Sequence, residues 1–372
     1  MTPLHGLKVV ELARILAGPW IGQSLADLGA EVIKVEAPQG DDTRTWGPPF
    51  IERDGDTTAA YFYAANRGKT SVVADFRTEE GRAQVLDLIK DADILIENFK
   101  VGGLQKYGLD YDSLAKINPR LIYCSITGFG QTGPYASRAG YDFMIQGMSG
   151  LMSITGEPER QPQKVGVAVT DVVTGLYGTI GILAAVEQRH TTGRGQHIDM
   201  SLLDCATALL ANQAMNYLAT GESPTRKGNA HPNIAPYQVV PTSDGHIIIA
   251  VGNDGQFQRL CGVLSRGDLG DNPAYATNQL RVANRDALTL EIEAETAKWS
   301  AADLLAALEA ATVPAGPINA VADTLNDPQI QARGMVIEAD GVKGVRGPWT
   351  FSDAELATDR SAPVLPKSVA DK

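Results

Sequence analysis

Along the first third of the chain, short unbroken apolar runs alternate with longer amphipathic stretches, the pattern of buried parallel strands joined by helices. Residues 7–12 predict a strand, residues 13–18 a loop, and residues 20–28 a helix with Pro19 at its first position. Gly29 closes that helix and residues 31–36 predict a second strand. Connections this short imply a βαβ unit with a parallel strand pair and a right-handed crossover. After a polar loop, a strand over residues 71–74 delivers Asp75, Phe76 and Arg77 to its carboxyl end. A helix over residues 79–90 follows, then a strand over residues 93–96 that delivers Glu97, Asn98, Phe99 and Lys100. A fifth strand, residues 121–126, runs into the loop TGFGQTGPY. The alternation predicts an α/β fold built on an open, doubly wound parallel sheet, in which ligands bind beyond the carboxyl ends of the strands.

Beyond residue 140 the pattern changes. A small-residue run ends at Gly156, a Pro-rich connector covers residues 157–163, and an apolar, Gly-interrupted stretch, KVGVAVTDVVTGLYG, opens a helix that runs to about His190. A strand over residues 197–201 and one long helix over residues 202–219 come next. The polar segment GESPTRK marks a boundary. Past it, residues 237–240 and 246–251 predict a hairpin, and helices near residues 256–264, 285–298 and 301–311 complete a smaller α+β unit. A helix over residues 320–327 and strands over residues 335–338 and 345–351 return to the first domain. The expected division is therefore residues 1–222, 223–319 and 320–372.

The 372 residues carry a formal charge of −12, which argues against nucleic acid as a partner. No stretch approaches a membrane span, and the first residues lack the features of a signal peptide, so a cytoplasmic location is expected. Cys124, Cys205 and Cys261 show no CxxC pairing and the five histidines are scattered, so no metal is expected. Against the acidic background, Arg67, Lys69, Arg77, Lys100, Lys106 and Arg138 fall near the strand tips and suit a phosphate-bearing ligand. A nicotinamide cofactor fits less well, because the first strand-to-helix turn reads ARILAGP rather than GxGxxG. Asp171 stands at an apolar strand-to-helix junction. Locally it is either a helix cap or a desolvated carboxylate that is neutralised by partners, perturbed in pKa or used as a nucleophile.

Taken together, VVELARILAGP, GAEVIKVEAP, NRGKTSVVADFR, ADILIENFK, GYDFMIQGMSGLMSITG, VGVAVTD, TGRGQHIDMSL, GNAHPNIAPYQ and DPQIQARGM resemble the family III CoA-transferases, the CaiB/BaiF family, over almost the whole chain. The resemblance implies that Asp171 is the catalytic nucleophile, working through anhydride and aspartyl-CoA thioester intermediates. It also implies that Leu16, Ala17, Ala37, Asp75, Phe76, Arg77, Asn98, Phe99, Lys100, Lys106, Ala139, Gly140 and Tyr141 contact CoA. Asp142, Asn229 and His231 match substrate or lid positions. The implied ligands are acyl-CoA and a small carboxylic acid. The implied fold is a Rossmann-like large domain with a smaller one, in a homodimer of interlocked rings whose subunits share active sites.

Leu16 and Ala37 stand where formyl-CoA transferase has glutamine and arginine, and GNAHPNI replaces its glycine-rich lid, which disfavours formyl transfer to oxalate. Tyr141 replaces the histidine of the racemase GHD motif, which disfavours 2-methylacyl-CoA racemisation. The loop AHPNIAPYQ and the later GNDGQF look more like the branch that moves CoA from succinyl-CoA to dicarboxylic acids. A racemase or epimerase and a non-catalytic acyl-CoA-binding homologue are the alternatives. The tail APVLPKSVADK departs from the family pattern, which implies loss of the usual final helix.

Overall fold

The computed structural model describes residues 1–366 and divides into two units. The first comprises Met1–Leu151, Lys164–Glu222 and the chain from Pro328 onward; the second comprises Met152–Gln163 and Ser223–Asp327. Residues 152–163 thus leave the first part, to which sequence assigned them, and the later boundary moves from 319 to 327. The reason for the first shift is local. Arg226 donates to the carbonyls of Glu157, Pro158 and Arg160, and Gly228 N–H donates to Gly156 O, so the Pro-rich connector is tied to the second unit.

The first unit runs β1 (Lys8–Glu11), α1 (Ala17–Asp27), β2 (Glu31–Glu36), β3 (Phe50–Arg53), β4 (Asp56–Ala59), the single turn α2 (Ala60–Tyr63), β5 (Thr70–Val73), α3 (Glu79–Lys90), β6 (Ile94–Glu97), α4 (Tyr111–Ile117) and β7 (Ile122–Thr127). It continues with α5 (Asp142–Met148), α6 (Val169–Thr192), β8 (His197–Ser201), α7 (Leu202–Leu209) and α8 (Ala211–Thr220). Six strands form one parallel sheet in the order β5-β2-β1-β6-β7-β8. Successive residues face opposite sides. Val9, Ile94, Ile96, Ile122 and Cys124 join the core that includes Ile21 and Leu25 of α1 and Ile182 of α6, while Val10, Leu95 and Tyr123 join the core that includes Val85 and Ile89 of α3. Burying each large aliphatic chain contributes about 1.5–3 kcal/mol, which is why both faces of these strands are apolar. The strand order reverses between β1 and β6, and the loops after those two strands therefore open a crevice at the carboxyl rim.

Several expectations are corrected. Pro19 is the third residue of α1, because the helix begins at Ala17. The long helix over residues 202–219 is two helices, since Ala211 has a φ of 43° and breaks the run. The polar loop after β2 holds the antiparallel hairpin β3–β4. Near the carboxyl end, the second returning strand is Val342–Val345, not residues 345–351. Finally, α6 is long and apolar enough to cross a membrane by length and composition, with a mean hydropathy of 1.6 over its most apolar stretch. Its small residues serve close packing instead: methyl groups on Gly175 would stand 2.9 Å from Trp20 Cβ and 3.1 Å from Ala17 O of α1. The tail returns through Ala357 N–H to Asp27 O and Gly68 N–H to Ser361 O, and the expected loss of the final helix falls on residues from Lys367, outside those described.

In the second unit, β9 (Tyr237–Thr242) and β10 (Gly245–Ala250) form the expected hairpin, and β11 (Ala315–Pro317), within the segment read as an exit, pairs with the other edge of β10. Val240, Ile247, Ile249, Phe257, Leu260 and Leu304 make its core.

Gly175→Ala is expected to lower unfolding free energy by about 1–2 kcal/mol despite alanine's better helix propensity, because the added methyl meets backbone as well as side chain. Urea unfolding of the two proteins checks this; equal midpoints would mean that the α1–α6 contact is looser than described.

Candidate active site

At the start of α6 two carboxylates meet. The helix is preceded by Ala168, which has no side chain to cap it. Asp142, the first residue of α5, supplies the cap from 28 residues away: its Oδ1 accepts from Thr170 N–H at 2.8 Å and from Thr170 Oγ1 at 2.6 Å. Gln146 Nε2 donates to the other Asp142 oxygen at 2.8 Å, and Gln146 Oε1 accepts from Val165 N–H at 2.9 Å. Asp171 is the third residue of α6 and is half-buried. The local cap reading of Asp171 is therefore wrong, because Asp142 does that work. Burial, and then the charge of Asp142, push the Asp171 carboxyl up to about 7, against the helix dipole that would hold it down. The Tyr61 hydroxyl is raised too, by burial and then by the negative charges of Asp171 and Asp142. It stays protonated at neutral pH, within electrostatic reach of the two acids.

The loop from β1 to α1 forms the next wall. Ile15 has a φ of 73°, a conformation that costs a β-branched residue about 1–3 kcal/mol. Asp41 Oδ2 accepts from Ile15 N–H at 3.2 Å. Asn98 brackets Arg14, accepting from its N–H at 2.9 Å and donating to its carbonyl at 2.7 Å. Leu16 and Ala17 are buried, and the N–H groups of Ala17 and Gly18 precede the first intrahelical bond of α1. Gly175, one turn beyond Asp171, packs on Ala17 O, so the loop abuts the helix that carries the acid.

Among the expected CoA contacts, Ala37, Asp75, Phe76, Arg77 and Phe99 line one cavity of about 160 Å³. Phe99 also borders a neighbouring cavity of about 200 Å³, with Lys100, Glu97, Ser125 and His197. Arg77 forks onto Asp75, with both contacts at 2.8 Å, and holds that carboxyl below its usual range. Phe76 meets Phe99 and Tyr107 edge-on, and Lys106 lies over the Tyr107 ring. Burial raises Glu97 to about 7, and its carboxylate accepts from Phe99 N–H at 2.8 Å, fixing the turn into Lys100. Gly140 packs against Gly128, where a methyl on Gly128 would stand 2.5 Å from Gly140 Cα, while Ala139 and Tyr141 are exposed beside it. Asn229 and His231 lie in a loop of the second unit. The His231 Nδ1 accepts from Asn233 N–H at 3.1 Å, and burial, then Arg285, lower its pKa, so its other nitrogen carries the proton.

Two rim cations are not on the rim. Arg67 is buried against Asp27, and Lys69 is buried on Glu11, the Pro19 carbonyl and Asn66 Oδ1, so neither is placed to meet a phosphate. Sequence reasoning also missed Tyr61, Trp46, whose ring lies 5.4 Å from that of Tyr61, and Asp41. The aromatic cluster at residues 61–63, inside the stretch read as a polar loop, was the available signal. Among the described residues no group of three or more His, Cys, Asp or Glu side chains forms a metal cluster.

The sequence pattern of CoA-transferase family III matches residues 4–367. A succinate–glutarate CoA-transferase of Agrobacterium fabrum is 58% identical over 98% of this chain and 93% of its own length. A succinyl-CoA:glutarate CoA-transferase of Mus musculus is 42% identical, covering 98% of this chain and 84% of its own. The crystal structure of a CaiB/BaiF family protein from Brucella suis superposes with a TM-score of 0.90 at 64% identity, covering 100% of this chain and 98% of that one.

Because the Asp171 pKa of about 7 lies above its ordinary value of 3.8, the native state holds more protons than the unfolded chain between those values. Stability from this group therefore falls as pH rises through that window. Asp171→Asn is expected to raise Tm at pH 8, with the gain shrinking below neutrality and gone near about pH 4. Thermal melts across pH check this; a gain that is constant from pH 8 to pH 4 would place the strain elsewhere.

Proposed function

Because the chain belongs to CoA-transferase family III and is a CoA-transferase acting on acyl-CoA, we propose that it moves CoA from succinyl-CoA to a dicarboxylic acid of the glutarate class, with Asp171 as the group that is acylated. The observation that carries this reading is the pairing of Asp142 and Asp171: one acid is held by the Thr170 N–H and hydroxyl at the helix start, and the other is left desolvated and repelled. Such a carboxylate is a stronger nucleophile than a solvated one.

In the proposed sequence the Asp171 carboxylate attacks the thioester carbonyl, the C–S bond breaks, and CoA leaves as thiolate, giving a mixed anhydride. The thiolate attacks the aspartyl carbonyl and expels the donor carboxylate, leaving an aspartyl-CoA thioester. The acceptor carboxylate then attacks that carbonyl, CoA leaves again, and the thiolate attacks the acceptor's acyl carbon, releasing acyl-CoA and free Asp171. No net proton is consumed. The first-turn N–H groups of Ala17 and Gly18 are suited to the oxyanions, and the Tyr61 hydroxyl to a carbonyl or carboxylate oxygen beside Asp171. The cavity of Ala37, Asp75, Phe76, Arg77 and Phe99 is assigned to the nucleotide end of CoA, with Lys100 and Lys106 toward phosphates. The loop holding Asn229 and His231 is proposed as a substrate-binding or lid segment, with the protonated His231 nitrogen as a hydrogen-bond donor.

The strand order supports a Rossmann-like reading of the large domain. Exposed Val167, Ile180, Met215 and Leu218 on the first unit support burial in a homodimer. The three buried free thiols suit a reducing cytoplasm.

Incubation with succinyl-CoA and hydroxylamine, followed by peptide mass spectrometry, is expected to place a hydroxamate on Asp171. Asp171→Ala is expected to lose transfer by more than about 10³-fold while still binding CoA. Full transfer in that variant, or a hydroxamate elsewhere, would end the assignment. Exchange of deuterium into the 2-position of a branched acyl-CoA, without acceptor, would instead favour racemisation.

A further inference from the structure

Beneath the β1–α1 loop lies a cluster of charges removed from water: Glu11, Lys34, Asp41 and Lys69 are each at most 3% exposed. Replacing such clusters with apolar side chains is often neutral or stabilising, so stability alone is a weak reason for one to be present. What its members touch is more informative. Lys34 Nζ pairs with Glu11 and Asp41 and donates to the carbonyl of Ala13 at 2.9 Å. Lys69 Nζ pairs with Glu11 and donates to the carbonyl of Pro19 at 2.8 Å. Asp41 accepts from Ile15 N–H, and its own N–H donates to Glu36 Oε2 at 2.8 Å, which Arg44 Nε also reaches at 2.8 Å. The start of the loop, its turning point and the first turn of α1 that follows it are therefore all gripped from below. The turning point is the left-handed Ile15, where glycine would adopt the same φ without strain.

We infer that this buried cluster positions the β1–α1 loop for group transfer, with Asp41 and Lys34 as positioning residues that hold Ile15 in its left-handed turn and so fix Leu16, Ala17 and the first N–H groups of α1 beside the helix of Asp171. Lys34 and Asp41 also line the cavity shared by Ala37 and Phe99, so one cluster registers the loop against both the acid and the nucleotide pocket. The inference rests on the assignment of Asp171 as the acylated residue.

The test uses the full chain, with kcat, the KM for succinyl-CoA, and Tm read together. Asp41→Asn is expected to lower kcat about tenfold or more at a temperature well below its Tm, since small misplacements of oriented groups are costly. Adding Ile15→Gly is expected to recover about fivefold or more of kcat without recovering Tm, because glycine takes the turn unaided. A purely structural cluster would move Tm and would not be rescued in kcat. Asp41→Glu, which keeps the charge balance, serves where Asp41→Asn does not fold and is expected to show the same loss and rescue. A kcat within about twofold of the original in either folded variant, or a loss untouched by Ile15→Gly, would overturn the inference. Hydroxylamine trapping on the unaltered enzyme separates the premises. A hydroxamate missing from Asp171 there rejects the nucleophile, whereas a hydroxamate present there with no kcat change in the folded Asp41 variants rejects the positioning role.

Discussion

The free N–H groups at a helix start can satisfy only a limited amount of negative charge, and at α6 that of Thr170 goes to Asp142 while that of Val169 goes to the Val167 carbonyl. That carboxylate receives Thr170 N–H and hydroxyl and is pinned by Gln146. Asp171 sits one residue further on, in the same turn, without that service. Without Asp142 the repulsion would go and the helix dipole would favour the charged form, leaving burial alone to raise the Asp171 carboxyl. With it present, burial and repulsion act together and the charged form is disfavoured. Raising the ground-state energy of a nucleophile is useful when the next step spreads that charge into an acyl bond. The same arrangement makes the native state less stable wherever Asp171 is ionised.

The sheet decides which loops lie near this acid. All six strands are parallel, so their connecting loops emerge on one rim, and the order reversal between β1 and β6 opens the crevice there. The two loops that border it are joined by Asn98, whose amide brackets the backbone of Arg14. Asn98, expected as a CoA contact, thus has its amide committed to shaping the site. Close contact of α1 and α6 through Gly175 brings the first of those loops against the acid-bearing helix, and the buried cations Lys34 and Lys69 hold the same loop from the sheet side.

The open parallel sheet, the placement of Asp75 to Arg77 and Asn98 to Lys100 just past strand ends, and the desolvated setting of Asp171 were all legible in sequence. Each depends on local regularities: apolar runs of strand length, residues just past their ends, and one acid in an apolar setting. The hairpin β3–β4 was not legible, because its strands are four residues long and mostly polar, and with it went Tyr61. Lys69 and Arg67 were misplaced for a related reason. A cation next to a strand looks solvent-exposed until the partner that buries it, Glu11 for Lys69 or Asp27 for Arg67, is known to be adjacent.

By itself, then, the sequence determined the order of the elements, their apolar faces and the apolar setting of Asp171, since these follow from the period of the chain and from residue chemistry within a few positions. Tertiary structure alone decided which carboxylate caps α6 and which stays strained, which cations are buried, and that an isoleucine takes a left-handed turn. Those outcomes depend on contacts between residues 26 to 58 positions apart, Ile15 with Asp41, Asp142 with Thr170 and Glu11 with Lys69, and no local pattern encodes a pairing made only when the sheet closes.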